Sequence, residues 1–199
     1  MKKMLILGST GMAGHMAHLY FLSRGWYVLG LARKPVSPLL AQQTRAVDVF
    51  DLRMLNEVLV SAEWDCVLNC VGILTADATR SIDRAIFLNS YLPHWLSRNL
   101  SDTSAKLIHL STDCVFSGRR GSYRENDFRD GDTVYDRTKT LGEVVNTKDL
   151  TLRQSIIGPE IRKNGTGLLQ WFLAQNAAIC GYKQAIWNGV TTLELAKGI

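Results

Sequence analysis

The stretch MLILGSTGMAGH (Met4–His15) decides the fold. Its first four residues are apolar without the alternation of a half-buried strand, so this strand is covered on both faces. Gly8, Gly11 and Gly14 follow at once, and a helical pattern runs from Met12 to Ser23. A strand that breaks into a glycine turn and then a helix is a place where backbone can approach an anion. No Cβ stands in the way, and the helix N-terminus offers N–H groups and a positive dipole end.

Outward from this unit the same alternation repeats. WYVLGLA (Trp26–Ala32), RAVDV (Arg45–Val49), DCVLNCVGI (Asp65–Ile73), KLIHLS (Lys106–Ser111) and LTLRQSI (Leu150–Ile156) read as further strands. Between them, Asp51–Ala62 carries a helical stripe at Leu52, Leu55, Val58 and Leu59, and Ser81–Leu100 and Tyr135–Asn146 are further helices. Apolar strands alternating with amphipathic helices predict a doubly wound α/β fold around a parallel sheet. The glycine spacing is a variant of the Rossmann fingerprint in its required strand-turn-helix setting, so residues 1–158 are expected to form an NAD(P)-binding domain.

After Gly158 the pattern changes. Gly167–Gln175 reads as a helix, Ala185–Val190 as a short extended piece, and a last helix begins with Thr191 or Thr192 as N-cap. Residues 159–199 are therefore expected to be part of a substrate-binding region. The chain stops without a C-cap, which fits either a truncated chain or a helix that forms the C-terminus.

Composition narrows the partners. The 199 residues are 46% hydrophobic and 21% charged, enough to bury a core. The net charge of +5 is spread thinly, with no basic stripe and no interleaved aromatics, so an anionic small molecule is expected rather than nucleic acid. Cys66, Cys70, Cys114 and Cys180 lack metal spacing and read as buried reduced thiols; the apolar run after Lys2-Lys3 is too short for a signal peptide. A soluble cytoplasmic protein without a membrane span is expected, with no metal. His15 and His18, three apart, read as a helix-surface pair in preference to a metal site, since no carboxylate or cysteine joins them.

In a parallel sheet, ligands gather beyond the carboxyl ends of the strands. The second strand ends in Arg33-Lys34 where an NAD enzyme would carry a carboxylate, which favours the 2′-phosphate of NADP and leaves NAD as the alternative. Asp48 ends the third strand near the adenine edge, and Asn69–Gly72 ends the fourth. LIHLSTDCVFSG (Leu107–Gly118) sets Ser111, Thr112 and Asp113 at the end of the fifth. Tyr135 and Lys139, at i and i+4, share one helix face. A tyrosine beside an ammonium is expected to have a lowered pKa suited to proton transfer.

Taken together, Gly8-x-x-Gly11-x-x-Gly14, STDCVFSG and Tyr135-x-x-x-Lys139 resemble the extended short-chain dehydrogenase/reductases. More narrowly they are similar to the dTDP-4-dehydrorhamnose reductase branch, a resemblance that extends to LRQSIIGPE and the tail WNGVTTLELAKGI. It implies Thr112 as the catalytic hydroxyl, Tyr135 as the acid, and Lys139 as the residue that binds the nicotinamide ribose and lowers the tyrosine pKa. It implies Gly8, Ser9, Thr10, Gly11, Met12 and Gly14 at the pyrophosphate, with Arg33 and Lys34 at the 2′-phosphate. Asp48 and Val49 would lie by the adenine, Asn69, Cys70, Val71 and Gly72 along the adenosine ribose, and Ile157 beside the nicotinamide. The implied activity is NADPH-dependent reduction of a nucleotide-linked keto-deoxysugar. An epimerase or dehydratase of the same superfamily is the alternative enzyme, and a cofactor-binding regulatory subunit the alternative without catalysis. A homodimer is the one protein partner allowed for.

The pattern departs from the family at Asp136, where glycine is usual, and in lacking a proline before Tyr135. Asn89 reads equally as a site-bordering or a helix-surface amide. Arg153 reads as a structural partner, and Asp113 as a substrate-orienting or turn-capping group. Trp171, Phe172 and Trp187 are expected in the core.

Overall fold

The computed structural model describes residues 1–34, 38–161, 165 and 167–199. Six parallel strands form one sheet: β1 (Lys3–Leu7), β2 (Tyr27–Ala32), β3 (Thr44–Ala46), β4 (Cys66–Asn69), β5 (Lys106–Leu110) and β6 (Leu150–Leu152). Their order is β3-β2-β1-β4-β5-β6, so the direction of winding reverses between β1 and β4, where a crevice opens beyond the strand ends.

Helices α1 (Met12–Ser23), α2 (Pro38–Ala41), α3 (Leu52–Leu59), α4 (Thr75–Arg80), α5 (Ile82–Ala85) and α6 (Leu92–Leu100) connect the strands. After β5 come α7 (Val134–Leu141), α8 (Leu168–Leu173) and α9 (Thr192–Gly198). The β1 run is apolar throughout because its two faces feed two cores. Leu5 and Leu7 pack with Leu55 and Val58 of α3 and Leu92 and Leu96 of α6. Met4 and Ile6 face Ala17 and Phe21 of α1 and Leu195 and Ala196 of α9. Each of the Leu, Ile, Val, Met and Phe side chains among these contributes about 1.5–3 kcal/mol on burial. The last helix thus docks on β1 and α1, its N-cap being Thr191, whose side chain accepts from the Glu194 N–H at 3.1 Å.

Several boundaries differ from expectation. The third strand stops at Ala46 and the fourth at Asn69. The sixth stops at Leu152; Ile156–Ile157 (β7) instead pairs with Val190–Thr191 (β8) in a separate parallel pair. The long helix expected over Ser81–Leu100 contains a π-helical turn at Ile86–Tyr91. Trp171, Phe172 and Trp187 are exposed rather than in the core, since no described element covers them. Of the four cysteines, Cys114 and Cys180 are exposed rather than buried, because they lie in a short turn after β5 and in a loop. His15 and His18 are buried, not on the helix surface, because α1 is covered by α9 as well as by the sheet. His15 is anchored through Nδ1 to the Gly11 carbonyl at 2.9 Å. Among the described residues neither ring nitrogen of His18 has a partner, and burial lowers its pKa to about 4. No described helix is long and apolar enough to cross a membrane.

Candidate active site

The glycine turn is held to β2: the Gly8 and Ser9 N–H groups both donate to the Leu31 carbonyl, at 2.9 and 3.0 Å. Gly8 has φ of +77°, a left-handed conformation that a side chain would strain. At Gly14 a Cβ would stand 2.2 Å from the Gly8 carbonyl oxygen, so only glycine lets α1 pack this close. Gly11 is the N-cap and covers the first turn with no side chain, which leaves the leading N–H groups of α1 without a side-chain partner. This cradle fits a pyrophosphate.

The other residues implied at the cofactor divide into two groups. Arg33 and Lys34 are exposed just past β2, and Gly72 is exposed after β4. A Cβ on Gly72 would lie 3.9 Å from Lys139 Nζ, and Cys70 and Val71 run beside Gly8. Met12 is half-buried and its methyl end faces Gly167. Ile157 is half-buried in β7. By contrast, the Ser9 and Thr10 side chains turn inward, Ser9 donating to the Leu31 carbonyl at 3.3 Å, so only their backbone faces a ligand. Asp48 is exposed and accepts from the Phe50 N–H at 3.1 Å, while Val49 belongs to the core. The Asn69 side chain is fully buried: its Oδ1 accepts from the Val71 N–H, and its Nδ2 lies 3.2 Å from His109 Nδ1. It shapes the β4 end from inside the fold, and lies too deep to line a ribose.

Thr112 follows β5 directly and is nearly buried. Its hydroxyl accepts from the Cys114 N–H at 3.2 Å and donates to Asp113 at 3.3 Å. Asp113 in turn accepts from the Ser155 hydroxyl at 2.7 Å and so fastens the end of β5 to the segment after β6, while the turn that follows is capped by Thr112. Tyr135 and Lys139 stand one turn apart on α7. That helix begins with a capping box: Asp136 N–H donates to the Thr133 hydroxyl and Thr133 N–H to the Asp136 carboxylate, each at 3.1 Å. The unusual Asp136 therefore fixes the start of the helix that carries Tyr135.

Lys139 is buried, and its ammonium donates to the Leu110 carbonyl at 2.6 Å. Burial lowers its pKa to about 8, against the opposing pull of Glu143 and Cys70. Burial raises the Tyr135 phenol to about 12, and the Thr112 hydroxyl pulls it partly back. The expected lowering of the tyrosine by Lys139 is not found, since burial outweighs it and the ammonium is engaged by Leu110. A phenol kept protonated is suited to giving a proton.

Asn89 lies inside the fold, in the π-helical turn. It accepts from the Ile73 N–H at 2.9 Å and donates to the Ile73 carbonyl and the Thr138 hydroxyl, each at 3.1 Å. It thereby ties the loop carrying Gly72 to the helix carrying Tyr135 and Lys139. Sequence offered only an amide in a long helix; the π-helical turn that aims it inward carries no local signature. Among the described residues no cluster of three or more His, Cys, Asp or Glu could hold a metal ion.

Comparison with known proteins follows this geometry. The chain is 27% identical over 157 residues to the spore coat polysaccharide biosynthesis protein SpsK of Bacillus subtilis, covering 76% of this chain and 52% of that protein. It is 26% identical over 167 residues to methionine adenosyltransferase 2 subunit beta of Pongo abelii, covering 81% and 49%. The chain thus spans about half the length of these relatives. Its fold matches a dTDP-4-dehydrorhamnose reductase of Clostridium acetobutylicum at 19% identity and a TM-score of 0.78, over 98% of this chain and 68% of that one. It also matches the Bacillus anthracis dTDP-4-dehydrorhamnose reductase solved in complex with NADP, at 20% identity and 0.72, over 87% and 59%. The RmlD substrate binding domain family matches residues 1–158, most of the chain, and the protein belongs to that family.

Proposed function

We propose that the protein is an NADPH-dependent reductase of a nucleotide-linked keto-deoxysugar. The observation that carries this reading is the convergence of Thr112, Tyr135 and Lys139 on the side of the sheet where the glycine turn and Gly72 open. NADPH, when bound, supplies the hydride to the carbonyl carbon. The electron pair of the C=O bond moves onto oxygen, Thr112 donates a hydrogen bond to that oxygen, and Tyr135 gives it the proton. Lys139, beside Gly72, holds the ribose end of the cofactor, and Arg33 and Lys34 meet the 2′-phosphate. The setting is surface-polysaccharide precursor synthesis in the cytoplasm, and the naming of SpsK supports it.

A second reading has its own support. The relatives named methionine adenosyltransferase 2 subunit beta are subunits by name, so a cofactor-binding partner role is the rival. NADPH oxidation over a panel of dTDP- and UDP-linked 4-keto-6-deoxysugars, beside Tyr135→Phe, separates the two. Turnover lost in the variant supports the reductase; NADPH binding with no turnover on any keto-sugar favours the subunit.

A further inference from the structure

Four residues beyond Lys139, just past the end of α7, Glu143 is buried at the centre of a cluster that the reaction does not use. Its carboxylate accepts from the Ser111 hydroxyl at 3.1 Å, from Arg129 Nε at 3.1 Å and from two nitrogens of Arg153, Nη2 at 2.7 Å. Ser111 is the neighbour of Thr112. Arg153 also donates to the Glu125 carbonyl at 2.9 Å, and its guanidinium lies over the Phe116 ring at 5.4 Å. Phe116 stacks on Tyr123 at 4.6 Å, and Arg120 covers the far face of that pair at 4.8 Å from the Tyr123 ring. The segment between Phe116 and Asp130 has few buried apolar groups; this column and its carboxylate base hold it together with Asp130, which accepts from the Ser117 N–H and hydroxyl and from the Tyr123 hydroxyl.

We infer that Glu143 is a positioning residue: it couples the helix carrying Tyr135 and Lys139, the strand end carrying Thr112, and the loop Phe116–Asp130 into one rigid unit. The catalytic meaning of that unit rests on the reductase reading above; the coupling itself does not. Two consequences follow from geometry. Removing the carboxylate leaves Arg129 and Arg153 without their anion and frees the column from below. It also changes the field at the Lys139 ammonium, whose charged or titratable neighbours are Glu143 just past the end of its helix, Cys70 after β4 and His109 on β5. Of these only Glu143 brings a full negative charge at neutral pH, since burial raises the Cys70 thiol to about 12 and keeps His109 neutral.

Neither readout needs substrate. The loop holds Arg119, Arg120 and Arg124, so limited trypsin digestion of the whole chain reports its order. NMR titration of the ¹⁵N-labelled Lys139 ammonium reports the field. Glu143→Gln is expected to speed cleavage in the loop at least about tenfold and to lower the Lys139 titration midpoint by about half a pH unit or more. Glu143→Asp restores the charge and brings the midpoint back toward the wild-type value. Phe116→Leu, which spares the ion pairs, is expected to free the loop while Lys139 titrates as in the wild type. Asp132→Asn, which breaks only the exposed pair with Arg119, is expected to change neither. Should Glu143→Gln fail to fold, Phe116→Leu and Glu143→Asp decide the matter. Wild-type protection in Phe116→Leu, or a Lys139 midpoint that ignores Glu143, overturns the inference.

Discussion

Replacing Lys139 by methionine should stabilise the protein while disabling its site. The ammonium is buried and its pKa falls from 10.5 in the unfolded chain to about 8 in the fold, because burial disfavours the charged form. With the folded value depressed, the unfolded chain holds the proton more tightly. The cost is therefore full below pH 8 and fades as pH rises from 8 to 10.5. At about 1.36 kcal/mol per pH unit, the gap corresponds to about 3 kcal/mol at neutral pH. Methionine has similar volume and no charge, but it gives up the hydrogen bond to the Leu110 carbonyl, a loss of about 1 kcal/mol. The net expectation is a gain of about 2 kcal/mol, or about 4–8 °C in Tm for a chain of this size. Urea denaturation of both forms between pH 7 and 10.5 is the assay. The variant should lead at pH 7, and the wild type should close the gap as pH passes from 8 to 10.5. A variant that is less stable at pH 7, or a gap that stays constant with pH, would refute the reasoning.

Other consequences concern the cofactor and the core. Arg33→Ala should weaken NADPH binding about 10- to 100-fold and leave NADH nearly unchanged, as one charge-assisted contact to the 2′-phosphate is lost; fluorescence titration with both dinucleotides checks it, and equal weakening of both would contradict it. His18, with its folded pKa near 4 against 6.5 unfolded, lets the unfolded chain take up the proton first, so stability falls as pH drops below 6.5. Between pH 7 and 5 this amounts to about 2 kcal/mol, which His18→Leu should abolish in denaturation experiments, while the slope from His109, also held well below its ordinary value by burial, remains.

The sheet was legible because its central strands are buried on both faces and so announce themselves as unbroken apolar runs, as at Met4–Leu7 and Leu107–Leu110. The glycine turn and the Tyr135–Lys139 spacing were legible for a similar reason, since each is a local pattern with a local physical cause. What stayed hidden depends on distant residues. His18 reads as a surface group, yet its ring packs against Gly30 of β2, where a Cβ would stand 2.8 Å from its Nδ1, and α9, more than 170 positions later, covers the same helix. The π-helical turn around Asn89 is stabilised by Ile73 and Thr138, neither of which is near it in sequence. The tyrosine pKa was misread because spacing places a lysine near the phenol but says nothing of burial, which is the stronger influence here. Glu143 draws its partners from positions 111, 129 and 153, and no window of sequence contains them all.

The most direct test of the account follows the transferred atoms. Deuterium at the reactive C4 position of NADPH, offered with the dTDP- and UDP-linked 4-keto-6-deoxysugars, should appear on a carbon of one reduced sugar. Mass spectrometry should find one label per product with the wild type and none with Tyr135→Phe. NADPH bound by the wild type with no label passing to any keto-sugar would contradict the reductase.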